Sequence, residues 1–442
     1  MRPKICWSDL RGARAGVWGL GVEGAASVRK LASLGVEPVL VDDKPPAGGG
    51  PGGRPVLATG DGGLAALAAC EVVVKTPGIS RYRQDVGELA ASGVPVVGGL
   101  GLWLQEAPLE RVVIVTGTKG KSTSTAIAGH LLTGLGYRCM TGGNIGRPPY
   151  DPDLSDDSCD YWVIETSSYQ ATDLACSPPV VAVTSLFADH LDWHGGAGAY
   201  YRDKLSACSQ PGADLTVANG DSELLRERVA QLGPRVQWVA AGDDPGADWM
   251  APLRLVGAHN RRNALIARAC LTALGVAAAA DDGALRAAAA GFEHLASRLQ
   301  VIGTAGGVTF VDDSLSTNVL PTLAALDAFP GRRVALIAGG HDRGIDYAPL
   351  AAGLAGRDEP TLVLTLPDSG LRIQAAILAD DHCRAEVIPC ADLDAAVRRG
   401  FAWAQPDGVV LLSPAAPSFG QFRDYRDRGD AFARAMIACS AA

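Results

Sequence analysis

Lys121 and Ser122 close the stretch VIVTGTKGKSTST (Val113–Thr125), where an apolar run enters a glycine-bearing turn and leaves it as Gly-Lys-Ser. Gly117 and Gly120, with Thr118 and Lys119 between them, let backbone N–H groups turn towards an anion. Lys121 is placed to reach β- and γ-phosphates and Ser122 to ligate Mg2+. The helix expected from about Ser122, with Thr123 in its first turn, adds its positive N-terminal end. The loop departs from the G-x-x-x-x-G-K-[ST] pattern at one position, because Val115 stands where the first glycine belongs. Strand, turn, Lys-Ser and helix nevertheless arrive in the order that binding of a nucleoside triphosphate requires. A glycine-rich turn with an exposed lysine is the plainer alternative.

Further along lie residues suited to a hard cation. Glu165 ends an apolar run in VIETSSYQ, and His190 sits in DHLDWHGGAGAYYRDK, with Lys204 fourteen positions later. A histidine and a carboxylate are reasonable partners for Mg2+, whereas an ammonium beside it is repulsive. A lysine there makes sense only if its charge is changed. Taken alone, His190 reads as a hydrogen-bonded loop histidine and Lys204 as a solvated helix lysine. Nearer the start, GLGVEG (Gly19–Gly24) follows a strand and precedes a helix, and Asp42 ends the next strand. That arrangement reads as a dinucleotide fingerprint.

The elements that must position these residues alternate along the chain. Short apolar runs, glycine turns and helical stretches recur throughout, the mark of an α/β protein with mostly parallel strands. One block holds the strands at Ala15–Trp18, Pro38–Asp43 and Glu71–Ser80, with a Gly/Pro-rich loop at Pro45–Pro55. A second starts at the phosphate loop and continues through YWVIET and VVAVTS. A third opens near Arg298 with GVTFVDD and RRVALIAGG, then TLVLTL and GVVLLSPAAPSFGQF. Linkers are expected near Ala107–Glu110 and Leu295–Arg298, giving domains 1–108, 109–296 and 297–442. The alanine runs Ala277–Ala280 and Ala287–Ala290 read as helices.

Length and composition agree with this plan. A chain of 442 residues, 48% hydrophobic and 20% charged, exceeds one ordinary core and suits about three. The net charge of −9 argues against a sequence-independent hold on nucleic acid. Ten scattered cysteines without a C-x-x-C pair read as reduced thiols in the cytoplasm. No apolar segment long enough for a signal peptide or a membrane span is visible. The expectation is a cytoplasmic monomer acting on small molecules.

Taken together these motifs resemble the Mur ligase family, ATP-dependent enzymes of peptidoglycan precursor synthesis. TGTKGKSTST, GGNIG (Gly142–Gly146), ETSSYQ, DHLDWH with YYRDK, GAHNRRNAL (Gly257–Leu265) and LLSPAAPSFGQF occur in the family's order across the whole chain. The resemblance implies three domains: a Rossmann-like one for UDP, a central P-loop one for ATP, and a Rossmann-like C-terminal one for the incoming amino acid. Length and the closing Ser-Pro-Ala motif resemble the member that adds glutamate to UDP-N-acetylmuramoyl-L-alanine through an acyl phosphate. By the same resemblance Leu20, Gly21, Asp42 and Gly78 contact UDP rather than NAD. Asn144 and Gln170 position the muramoyl-alanine end. Asn260, Asn263, Arg298 and Asp313 contact the nucleotide. Lys204 is expected to be carbamylated, which turns a cation into an anionic ligand. Two Mg2+ ions are implied, one held by His190 and Lys204 and the other by Ser122 and Glu165. Lys121, His190 and Lys204 form the catalytic set.

The amino-acid pocket departs from the commoner pattern. D-glutamate-adding members read N-D-S-K-A-T-N and G-G-D-G-K-G where this chain has DDSLSTN (Asp312–Asn318) and GGHDRG (Gly339–Gly344). Leu315 and Arg343 replace the two lysines, and Ser297 stands where a histidine precedes Arg298. Arginine grips a carboxylate with two parallel hydrogen bonds, and leucine removes a charge. Moving a charge is what a change of substrate handedness requires, so the variants resemble the branch that adds L-glutamate; D-glutamate is the alternative. Arg343, Ser418 and Phe419 are the expected amino-acid contacts, with Phe419 as a core residue the plainer reading. A folate-extending relative lacks a counterpart of the GLGVEG block, and an inactive nucleotide-binding protein has no need of Lys121, Glu165, His190 and Lys204 together.

Overall fold

Short runs rich in Val, Ile and Leu make the strands of three sheets in the computed structural model, which describes residues 2–154 and 158–440. In the first sheet β1 (Ala15–Trp18), β2 (Val39–Asp42), β3 (Leu57–Ala58), β4 (Val72–Lys75) and β5 (Val96–Gly98) are ordered β3-β2-β1-β4-β5, all parallel. The second takes β6 (Val112–Thr116), β7 (Cys139–Gly143), β8 (Tyr161–Glu165), β9 (Val180–Val183), β10 (Leu215–Asn219) and β11 (Arg235–Val239) in the order β11-β10-β9-β6-β8-β7, again parallel.

The third sheet runs β12-β13-β17-β14-β15-β16, from β12 (Gln300–Ala305), β13 (Val308–Asp312), β14 (Val334–Ala338), β15 (Thr361–Thr365), β16 (Glu386–Pro389) and β17 (Val409–Leu412). Within it only the pair β12–β13 is antiparallel. Along β14, Val334, Leu336 and Ala338 join one apolar cluster while Ala335 and Ile337 join another. Helices cover both faces, so the strand is apolar throughout instead of alternating. Mixed α/β architecture with parallel sheets is thus as expected.

The described chain divides into two compact units. One runs to Arg254 and includes Asn260–Phe292; the other comprises Leu255–His259 and the residues from Glu293 on. In the first unit a continuous apolar cluster passes from Val17 and Leu100 to Ile114 and Ile164, so the first two sheets share a core. The alanine runs behave differently from the helical reading. Ala277–Ala280 forms a 3-10 turn, because the Asp281 side chain accepts from the Ala284 N–H at 2.8 Å and starts a new helix there. That helix, Asp282–Ala288, ends two residues into the second run.

Candidate active site

The phosphate loop owes its shape to the strand before it. Val115 pairs with Glu165 on one side and Ala182 on the other, so the strand continues to Thr116 and the turn is compressed into Gly117–Gly120. Gly117 and Gly120 adopt φ of +136° and +86°, conformations that suit glycine. A methyl group at Gly117 would lie 2.2 Å from Thr184 Oγ1, and one at Gly120 2.7 Å from Asn263 Oδ1. Asn263 in turn donates to Asn260 at 3.2 Å. The helix Lys121–Gly134 follows, and the Lys121 ammonium curls back to the carbonyls of Gly117 (2.9 Å) and Thr118 (3.1 Å).

Thr184 and Ser185 at the exit of β9, the last two residues of the VVAVTS run and given no role by it, hold this loop. Thr184 donates to the Lys119 carbonyl at 2.6 Å, and Ser185 Oγ accepts from the Lys119 N–H at 2.8 Å. Thr118 Oγ1 lies 2.9 Å from the Tyr200 hydroxyl. The signal that could have found them is adjacency: the strand beside a phosphate loop ends next to it.

Around the loop stand the expected metal ligands. The Ser122 hydroxyl donates to Glu165 at 2.5 Å, and the Asn144 amide donates to the other carboxylate oxygen at 2.7 Å. Lys204, on the helix Ala197–Leu205, is 2% exposed and donates to the Gly117 carbonyl at 2.9 Å. Burial foremost, then the positive charge of Lys121, drives its pKa well below the ordinary lysine value. The His190 imidazole is about half exposed, 3.6 Å from the Asp189 carboxylate, and desolvation lowers its pKa, favouring the neutral ring that can ligate a metal.

The first sheet reverses its strand order between β1 and β4, and at such a switch point ligands bind beyond the strand ends. Leu20 and Gly21 leave β1 there, and Gly78 follows β4. The Leu20 N–H donates to Asp42 at 2.7 Å. Close by, Glu23 accepts from the Gln170 amide at 2.6 Å, tying the helix Val22–Ser33 to the central sheet's helix Ser168–Ala171. Burial pushes the Glu23 carboxyl up to about 7.

A second network gathers His194 of DHLDWH and Asp203 of YYRDK, neither of which the motifs mark with a role. His194 is buried, with Nδ1 2.6 Å from Asp203 and Nε2 2.9 Å from Ser168 Oγ, while the Tyr82 hydroxyl reaches both Asp203 oxygens at 2.7 and 2.8 Å. Together these contacts join the segments that carry Gln170, His190 and Lys204. Lys75, wholly buried, pairs with Asp173 at 2.5 Å, and Arg81 reaches the same carboxylate at 3.1 Å.

In the second unit Arg298 lies between Ser297 and Leu299, both with positive φ (58° and 50°), a strained linker for residues with side chains. Asp313 is buried and accepts from the Leu299 N–H (3.0 Å), Ser316 Oγ (2.5 Å) and Ser413 Oγ (2.8 Å). Burial raises its pKa to about 6. Ser418 is buried, whereas Phe419 is 51% exposed and so lies outside the core, with the Arg343 guanidinium 5.6 Å from its ring centroid.

Comparison with known proteins follows the same division. Residues 115–252 match the Mur ligase middle domain and residues 297–416 the Mur ligase glutamate ligase domain. The chain is 44% identical to a UDP-N-acetylmuramoyl-L-alanine–L-glutamate ligase of a Micromonospora species, covering 97% of both chains. It is 38% identical to the enzyme of that name from Xanthomonas euvesicatoria, over 97% of this chain and 96% of that one. In fold it is similar to the UDP-N-acetylmuramate-alanine ligase of Thermotoga maritima, with TM-score 0.57, 18% identity and coverage of 96% and 99%.

Proposed function

The chain belongs to the Mur ligase family, and from that premise we propose that it joins L-glutamate to UDP-N-acetylmuramoyl-L-alanine at the expense of ATP, in peptidoglycan precursor synthesis. The observation that carries the reading is full-length similarity to ligases of that specificity, joined to a phosphate loop with Lys121, Ser122, Glu165 and Lys204 around it. We assign UDP to residues 1–108, ATP to 109–296 and the amino acid to 297–442, with a monomer in the cytoplasm as the working unit. L-glutamate takes precedence over D-glutamate because the relatives use the L form and because Leu315 and Arg343 redistribute the pocket's charge.

The donor set fits Mg2+ on one condition. A serine hydroxyl, a carboxylate and a neutral imidazole are hard or borderline ligands, and Mg2+ takes few protein ligands beside phosphates and water. Ser122 and Glu165 would hold one ion. His190 would share a second with Lys204 only if the lysine lost its positive charge. Its depressed pKa favours the free amine, which can attack CO2, forming an N–C bond and releasing one proton to leave an anionic carbamate. Bound at these residues, Mg2+ would neutralise phosphate charge during transfer.

The chain's own groups supply the rest. Lys121, already folded over the loop carbonyls, offers its ammonium to the β- and γ-phosphates. Asn144 and Gln170 orient the acceptor, whose alanyl carboxylate attacks the γ-phosphorus to give an acyl phosphate and ADP. The glutamate amine then attacks the acyl carbon, phosphate leaves, and the nitrogen gives up a proton. Holding the reactants in register is worth about 7–11 kcal/mol of barrier. A paired assay decides the reading: ADP release with UDP-N-acetylmuramoyl-L-alanine should be strong with L-glutamate and weak with D-glutamate. Preference for the D form overturns the stereochemistry; no amino acid-dependent turnover overturns the ligase.

A further inference from the structure

Three loops that the amino-acid reading singles out leave the C-terminal ends of neighbouring strands: DDSLSTN after β13, SPAAPSFG after β17 and GGHDRG after β14. Backbone bonds stitch the last two together, with Gly339 N–H donating to Pro414 at 2.7 Å and His341 N–H to Pro417 at 2.9 Å. Into their centre the helix Tyr425–Ser440 sends Arg428, 1% exposed. Its Nη2 donates to the carbonyls of Ser314 (2.8 Å) and Ala416 (3.1 Å). Its Nη1 lies 3.1 Å from the place a methyl group at Gly340 would take, so the third loop passes beside the same guanidinium and has no room there for a side chain.

We infer that Arg428 is the positioning residue of the glutamate pocket, clamping the loops after β13 and β17 and keeping a buried positive charge behind them. The inference rests on the ligase reading above. Burial lowers the pKa of Arg428 to about 10, so the group stays charged at neutral pH. Asp312 is the carboxylate that acts on it, yet its oxygens are engaged by Ser297 Oγ (2.8 Å) and the Ser314 N–H (2.9 Å). Asp313 is likewise taken by Leu299, Ser316 and Ser413. Among the described residues Arg428 has no ion-pair partner within 4 Å, and its Nε has no hydrogen bond. A buried cation without a contacting anion is costly, and a carboxylate arriving nearby relieves that cost. The loop after β13 carries no lysine of its own, since Leu315 occupies that position, and the cation beside it comes from the helix Tyr425–Ser440.

The test uses the full-length enzyme with Arg428→Met and Arg428→Lys. Wild type is assayed first with L-glutamate; its failure to turn over counts against the ligase reading, whereas the variants bear on Arg428 alone. For Arg428→Met, KM for L-glutamate should rise about ten-fold or more, with KM for ATP and for UDP-N-acetylmuramoyl-L-alanine within about two-fold of wild type. Arg428→Lys keeps the charge but loses the forked geometry and should fall between the two. If Arg428→Met does not fold, Arg428→Lys decides alone. A glutamate KM within about two-fold of wild type in the folded variants, or a common rise in all three constants, overturns the inference.

Discussion

Lys204 reaches from the helix Ala197–Leu205 to the Gly117 carbonyl, 2.9 Å away, and so places a buried amine at the first residue of the phosphate-loop turn. Lys121 donates to the same oxygen at 2.9 Å, and its charge adds to the burial that disfavours a second ammonium. Two lysines share one carbonyl. The neutral form of Lys204 is the one that CO2 can modify.

Lys204→Ala should therefore abolish ligation and regain part of it when a short-chain carboxylate is supplied to fill the carbamate position. Turnover measured against acetate or propionate concentration, at saturating Mg2+, checks this. A flat response would count against the carbamate while leaving the ligase assignment standing.

Glu165 joins Ser122 and Asn144 through its two oxygens, at 2.5 and 2.7 Å. Glu165→Gln retains the shape but removes the negative charge, and kcat should drop about 100-fold or more, in line with the loss of a charge aligned on the transferring group. Chelation should silence the wild type and added Mg2+ restore it. Wild-type turnover persisting in excess chelator would refute the metal assignment.

The Glu23 carboxyl predicts a pH-dependent stability. Its pKa in the folded chain is raised from an ordinary 4.5 to about 7, mainly by burial, partly opposed by Gln170, Tyr150 and Lys75. A folded acid that holds its proton more tightly than the unfolded one contributes fully at low pH and loses ground as pH climbs through that window. Between pH 4.5 and about 7, wild type should lose melting temperature relative to Glu23→Gln, and the gap should stop growing above it. A difference independent of pH would exclude the buried acid as its cause.

How much of this was legible before the fold is clear from particular residues. The phosphate loop could be read because everything it needs lies within thirteen positions: strand, two glycines with positive φ, Lys121 and the following helix. The strand–turn–helix around GLGVEG was legible for the same reason. β11 went unread because RVQWV is an edge strand with arginine and glutamine in alternation, carrying little of the apolar signal of its neighbours. His194 and Asp203 lie inside the DHLDWH and YYRDK motifs and Tyr82 outside them, yet no role for them is legible there, because only their meeting makes a network.

By itself the sequence determined the alternation of strands and helices, the phosphate loop and its one-glycine departure, since those depend on periodicity and backbone freedom over a few residues. The tertiary structure decided which polar group each buried ionisable side chain meets: Glu23 with Gln170 across 147 positions, Arg428 with Ser314 across 114, Lys204 with Gly117 across 87. Burial strength and partner identity in those pairs come from helices and loops packed together from distant parts of the chain. Electrostatic energy depends on separation in space and on the surrounding dielectric, and neither is written in separation along the chain.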